Sequence, residues 1–102
     1  MKIIYPKYAI QSLDEIVDFL ENRWTEKELR IFENDFRQFI KSLEEKIISY
    51  PFAEEQKVLR FALLGKKQVK VYFDLQADSA EIILFLPSKS NPEKINQILK
   101  KK

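Results

Sequence analysis

The chain of 102 residues has the length of a single domain, and its 45% content of hydrophobic residues predicts one compact core. Because it contains no cysteine, no histidine and only one glycine, the sequence excludes disulfide frameworks, thiolate and Ser-His nucleophiles, His-bearing metal sites and glycine-rich phosphate loops. The net charge of +2 is uneven: residues 1–56 carry 8 basic and 12 acidic side chains and residues 57–102 carry 10 basic and 4 acidic ones, so the second half is expected to face an anion.

A strand and a helix are predicted at the N-terminal end. Residues 2–5 form a short run, mostly apolar, that stops at Pro6, and a proline holds the residue before it in extended geometry. Residues 9–23 predict an amphipathic helix, because apolar side chains recur there at every third or fourth position. The positions of that apolar face are Ile10, Leu13, Ile16, Val17, Leu20 and Trp24.

A second helix is predicted to begin at Thr25. Thr25 and Glu28 have the spacing of a capping box, in which each side chain pairs with the backbone amide of the other residue. Pro51 is expected to end this helix near Ser49. Because few residues separate the two helices, we expect an antiparallel helical hairpin. The apolar stripe of the second helix is assigned to the core and consists of Leu29, Phe32, Phe36, Phe39, Ile40, Leu43 and Ile47.

The second half predicts three strands and a final helix. Residues 57–63 and 68–75 alternate apolar and polar positions, which predicts a β-hairpin with a three-residue turn at 65–67. Residues 80–86 are apolar on both faces, as in a central strand. The Asn-Pro-Glu sequence at 91–93 predicts a short C-terminal helix. The expected fold is a single α+β domain over the whole chain, with an N-terminal strand, a helical hairpin, a three-stranded antiparallel sheet and this last helix.

The expected hairpin pairing creates a basic cluster on the sheet face that is turned away from the helices. A three-residue turn places Arg60 across from Tyr72 and Ala62 across from Lys70. The face toward the helices then carries the larger apolar side chains of both strands, which are Leu59, Phe61, Leu63, Val69, Val71 and Phe73. Two turn residues lie at the rim of the basic cluster, Lys66 and Lys67.

Such a cluster suits a polyanion. An arginine binds phosphate with two parallel hydrogen bonds, a lysine adds point charge, and a tyrosine stacks on a base or carries a proton. The alternative is an ordinary solvated sheet face, on which Arg60 pairs with a carboxylate such as Asp74.

Several segments together resemble the RelE/ParE superfamily of bacterial toxins over nearly the whole chain. These are the Ile-Ile-Tyr strand at 3–5, the helix from Ser12 to Trp24, the Leu59-Arg60 strand with Gly65 and Tyr72, and the segment 88–94. The individual motifs are short, and the resemblance lies in their order and spacing.

The resemblance implies a toxin that a cognate antitoxin neutralises by wrapping around it, in a toxin–antitoxin hetero-oligomer. RelE-type members cleave messenger RNA on the ribosome, and ParE-type members inhibit DNA gyrase without catalysis. Under the first alternative the protein is a metal-independent endoribonuclease: Arg60 and Lys70 stabilise the phosphate transition state, and either Tyr72 or a lysine of lowered pKa carries the proton. The expected RNA-binding residues are Lys66, Lys67 and Lys89.

Three alternatives remain open at this point: the ribonuclease, the gyrase inhibitor, and a degenerate member that only binds an antitoxin. The basic cluster favours the ribonuclease, whereas the loop 53–57 has two glutamates where such an enzyme would have paired lysines. No cofactor or metal is expected. The longest uncharged apolar run, residues 82–87, is far shorter than the ~20 residues of a membrane span. The N-terminus also lacks the apolar stretch of a signal peptide, so a cytoplasmic location without a membrane partner is expected.

Overall fold

A computed structural model describes residues 1–46, 49–54, 57–90 and residue 97. Its elements, in chain order, are β1 (Lys2–Ile4), α1 (Lys7–Glu21), α2 (Glu26–Glu45), β2 (Arg60–Leu64), β3 (Val69–Leu75) and β4 (Ser79–Pro87). The predicted α+β class is confirmed. The predicted C-terminal helix, which begins at Asn91, lies almost entirely outside the described residues. No helix in the described part of the chain is long and apolar enough to cross a membrane.

The four strands form one mixed sheet in the order β1-β4-β3-β2, which corrects the predicted three-stranded antiparallel sheet, because β1 joins it as a fourth strand. β1 pairs in parallel with β4, with Ile3 opposite Ala80, and the other two pairings are antiparallel. The prediction of a central strand at 80–86 is confirmed, because β4 lies between β1 and β3. The register between β3 and β4 shifts between Tyr72 and Phe73, which is a β-bulge on β4 at Ile83.

The capping box predicted for the second helix is present. The Thr25 hydroxyl accepts the Glu28 amide at 3.3 Å, and the Thr25 amide donates to the Glu28 carboxylate at 3.2 Å. The helix ends at Glu45, earlier than the predicted Ser49, because Lys46 takes the left-handed conformation (φ 55°) and its amide donates to Leu43. The stop is therefore set by this cap, several residues before Pro51.

Both helices pack on one face of the sheet, which we call the helix face. Val69, Val71 and Phe73 of β3 are completely buried there. The Phe73 ring lies 5.2 Å from the centre of the Phe39 ring of α2, in an edge-on arrangement. Ser12 joins α1 to β4, because its buried hydroxyl accepts the Phe85 amide at 3.0 Å. Most of the apolar positions predicted for the two helices therefore form the core, but Ile10 is 48% exposed and Ile47 lies outside the described residues.

The opposite face of the sheet, which we call the second face, carries an apolar cluster of its own. Tyr72 on β3 is completely buried in this cluster and Leu59, just before β2, is 4% exposed. The bulge directs the consecutive residues Ile83 and Leu84 to this face together. The other members are Ala53, Leu86 and the partly buried Phe61.

The predicted register of the β2–β3 hairpin is wrong by one residue. Arg60 lies opposite Phe73, Phe61 lies opposite Tyr72, and Leu63 lies opposite Lys70. The cause is a four-residue turn, 65–68, in place of the predicted three-residue turn. With this register, β2 directs Arg60, Ala62 and Leu64 to the helix face and Phe61 and Leu63 to the second face.

The turn that sets this register is fixed against the helices. Gly65 is left-handed (φ +61°), and an added Cβ there would lie 2.5 Å from Cη2 of Trp24. The Gly65 amide donates to the Asp35 carboxylate of α2 at 2.8 Å. The Trp24 indole donates to the Gln68 side chain at 3.0 Å. Three contacts with the helical hairpin therefore position the turn.

Candidate functional site

Arg60 lies at the start of β2, half-buried on the helix face. Its Nη1 donates to the carbonyl of Tyr50 at 2.6 Å, and its guanidinium lies 4.1 Å from the centre of the Phe52 ring. The alternative ion pair with Asp74 is not formed, and Asp74 accepts a hydrogen bond from Gln76 at 2.9 Å. A backbone carbonyl and an aromatic ring therefore position Arg60.

Lys70 and Tyr72 lie together on the second face. The Lys70 ammonium is 4.3 Å from the centre of the Phe61 ring and 5.2 Å from that of Tyr72. Tyr72 is completely buried, so its phenol has no access to an RNA bound at the surface.

The predicted cluster of Arg60, Lys70 and Tyr72 is therefore not assembled on one face. The register of the hairpin places Arg60 opposite Phe73, whose ring packs against α2. Residues directly opposite each other in a sheet share a face, so the sheet separates Arg60 from the other two side chains. The guanidinium instead donates to the backbone carbonyl of Tyr50, a residue that the sequence analysis did not select.

The three lysines predicted to bind RNA lie in two places. Lys66 and Lys67 are exposed in the β2–β3 turn, both with left-handed backbone (φ 56° and 68°). Lys89 is exposed after β4 and lines a cleft of about 320 Å³ with Arg23, which follows the end of α1. Arg23 packs over the half-exposed Phe19 ring at 4.0 Å.

Arg60 contributes to a cleft of about 370 Å³ between the C-terminal end of α2 and the β3–β4 turn. We call it the Arg60 cleft. A second cation, Lys46, approaches from α2 and donates to the carbonyl of Ala77 at 3.4 Å. The remaining lining residues are uncharged side chains, namely Met1, Ser42, Leu43, Ser49, Tyr50, Leu75 and Gln76. Among the described lining residues there are two cations and no carboxylate, and this composition suits an anionic group.

Two hydroxyls in this cleft are already committed to each other. The Ser42 hydroxyl donates to the carbonyl of Phe39 at 2.6 Å, so the Tyr50 phenol is the donor in their mutual 2.7 Å hydrogen bond. The part of the lining that the structure describes therefore offers cations for binding, but no carboxylate as a general base.

Two tyrosines have raised pKa values, and neither lines the Arg60 cleft. Partial burial and then the charge of Glu44 raise the pKa of Tyr5. Partial burial, followed by the charge and hydrogen bond of Glu81, raises the pKa of Tyr8. Both phenols therefore stay protonated at neutral pH.

Sequence reasoning missed Lys46 and Tyr50 as partners of Arg60. Lys46 was included in no predicted cluster, because the helix was expected to continue past it. Tyr50 precedes Pro51, and a residue before proline favours extended backbone. This is the one local signal in the sequence that Tyr50 lies outside the helix.

No protein-family model matches the chain, and no curated protein is significantly similar to it in sequence. The resemblance to RelE/ParE toxins therefore depends on the motifs quoted above.

Proposed function

We propose that this chain is the toxin of a bacterial type II toxin–antitoxin module and that it acts by binding its target, as ParE-type toxins act on DNA gyrase. An acidic antitoxin neutralises it. The proposal combines the RelE/ParE resemblance with the geometry of the basic residues.

Two of the residues that carry the resemblance, Trp24 and Gly65, are in contact in the structure. Trp24, at the end of the resembling helix, packs directly against Gly65. Gly65 in turn fixes the four-residue turn between Arg60 and Tyr72. Their order in the sequence thus has a physical reason in this fold, and this supports the proposal as an argument from analogy.

The observation that carries the binding mode is the separation of Arg60 from Tyr72. A nuclease without histidine needs a cation and a proton carrier at the same phosphate. Here the cation lies on the helix face and the phenol is buried on the second face. A toxin that inhibits by binding needs no such pair.

The distribution of cations supports an acidic antitoxin. Arg60 and Lys46 approach the same cleft, and Lys66 and Lys67 extend from the hairpin turn. Carboxylates of an antitoxin segment would pair with these side chains, and partly exposed pairs are weakened by salt. We therefore expect the complex to dissociate more readily as ionic strength rises.

The experiment is induced expression in a bacterial host, with and without the reading frame adjacent to this gene. Growth arrest that the adjacent gene product relieves supports the module. Unchanged growth on expression alone overturns the toxin and favours the degenerate, antitoxin-binding alternative. For the interface, Lys46→Ala should weaken the complex, whereas Lys41→Ala, which removes an exposed lysine on α2, should not.

Ribosome-dependent RNA cleavage stays a prediction that the same cells test. Cleavage requires new transcript ends that are lost with Arg60→Ala, and that decline by about 10²–10⁴-fold with Tyr72→Phe if the phenol carries the proton. Intact transcripts together with lost DNA supercoiling are the result expected for the binding mode.

A further inference from the structure

Strand β2 forms one edge of the sheet, and the residues that the structure describes cover only part of that edge. Segment 51–53 pairs with the start of β2, because the Phe61 amide donates to the carbonyl of Pro51 at 3.1 Å and the Ala53 amide donates to that of Leu59 at 2.8 Å. At the other end, the Gly65 amide is bound by the Asp35 carboxylate. Leu63 lies between these two closed ends.

The backbone of Leu63 is directed away from β3. Because the Phe61 amide points outward to Pro51, alternation along a strand directs the amide and carbonyl of Leu63 outward too. No group in the described part of the chain pairs with them. The Leu63 side chain is 42% exposed on the second face. An unpaired edge with an exposed apolar side chain is a template for an added strand.

A groove runs along this open edge. It has a volume of about 530 Å³ and lies between β2 and the face of α2 that carries Asp35, Gln38 and Phe39. Pro51 closes the end at which the chain's own segment stops covering the edge. An added strand would therefore continue the line that segment 51–53 begins, with every second side chain directed into the groove.

The charges around the open edge of β2 indicate what kind of segment binds there. Lys66 and Lys67 lie at one end of the open edge, and Arg60 lies at the other, whereas Asp35 is the only carboxylate among the described lining residues. A second copy of this chain, paired edge to edge in either direction, would bring cations against cations. An acidic segment is complementary at both ends.

We propose that the open edge of β2 binds an extended acidic segment of a partner protein by strand addition, with its apolar side chains in the groove. The inference rests on the proposed function only for the source of that segment, which is then the antitoxin. The edge geometry stands without it.

The test is titration of the ¹⁵N-labelled protein with a short synthetic peptide of alternating glutamate and valine, followed by NMR. In an antiparallel pairing, the peptide residue opposite Leu63 directs its side chain to the same face as Leu63 and its backbone amide toward β2. With the valines in the groove, the residues in this position are the glutamates, which therefore lie on the second face. The Leu63 amide is expected to shift. Methylation of the glutamate backbone nitrogens should abolish binding, and methylation of the valine nitrogens should not.

Charge is tested with matched variants. Alternating lysine and valine should bind at least about tenfold more weakly than the glutamate peptide. Lys66→Glu combined with Lys67→Glu should weaken binding of the glutamate peptide. Lys2→Glu combined with Lys7→Glu should not, because these two exposed lysines lie in or just after β1, the strand at the other edge of the sheet.

Three results overturn the proposal: an unshifted Leu63 amide at saturation, equal binding of both methylated peptides, or a Leu63 shift that depends on protein concentration alone, which would assign the edge to a second copy. None of these peptide-binding measurements depends on toxicity to cells. Peptide binding without growth arrest therefore refutes the toxin and retains the edge site, and growth arrest without peptide binding does the opposite.

Discussion

The two faces of the sheet are both apolar, but different parts of the chain complete them. On the helix face, Phe73 lies within 5.5 Å of the ring centres of Phe39 and Tyr50. On the second face, the buried Tyr72 shares its cluster with Ala53 and Leu59, from the segment between α2 and β2. Because both faces are apolar and largely buried, neither face of this sheet offers an exposed polar surface for a site. Its functional surfaces lie at its ends and edges.

This difference decides where Arg60 lies. A strand with one polar face has its register fixed by burial, but in β2 both sets of alternate residues are largely apolar. The length of the β2–β3 turn then determines the register, and the contacts of Gly65 with Trp24 and Asp35 select a four-residue turn. One residue of register moves Arg60 from the second face to the helix face.

The largest expected effect is on the helix face. Phe73→Ala should lower the free energy of unfolding by about 3–5 kcal/mol, because it leaves a cavity among completely buried rings. Urea unfolding monitored by circular dichroism measures this. A loss below about 1 kcal/mol would mean that the helices do not pack on this face as described.

Leu84→Ala tests whether the second face is a true core. Leu84 is 6% exposed, so its truncation should cost about 2–5 kcal/mol. Leu75→Ala is the control, since that side chain is 38% exposed and should change stability by no more than about 0.5 kcal/mol. Equal small effects for both variants would show that the second face is solvated.

Gly65→Ala tests the turn that sets the register of β2. A residue with a Cβ is strained at φ +61° and meets the Trp24 ring, so we expect a loss of about 1–3 kcal/mol. The same substitution in a Trp24→Ala background should cost less, because only the backbone strain remains. An equal loss of stability in both backgrounds would show that the contact with Trp24 contributes nothing to the effect of the substitution.

The register itself can be tested without a large change in stability, because the chain has no cysteine. Leu63→Cys combined with Lys70→Cys places two thiols on a directly opposite, non-hydrogen-bonded pair, whose Cα separation of about 4.5 Å suits a disulfide. Ala62→Cys combined with Lys70→Cys is the pair that a three-residue turn would align, and it should stay reduced. Mass spectrometry after mild oxidation distinguishes them.

Much of the fold was predictable because its signals are local. The capping box at Thr25, the apolar stripe of α2 and the two-sided apolar β4 all occur where the sequence places them. The candidate site was less predictable, because it depends on contacts between distant residues. Nothing near Gly65 in the sequence shows that Trp24 packs on it, and nothing near Arg60 shows that the Tyr50 carbonyl binds it.

The most direct test of the central claim uses the purified protein in two assays, supercoiling by DNA gyrase and cleavage of messenger RNA on ribosomes. Because Arg60 and Tyr72 lie on opposite faces of the sheet, we expect the RNA to stay intact, and the proposed binding mode predicts that supercoiling is inhibited. RNA cleavage that is lost with both Arg60→Ala and Tyr72→Phe, while the two variants keep the wild-type melting temperature, would contradict it.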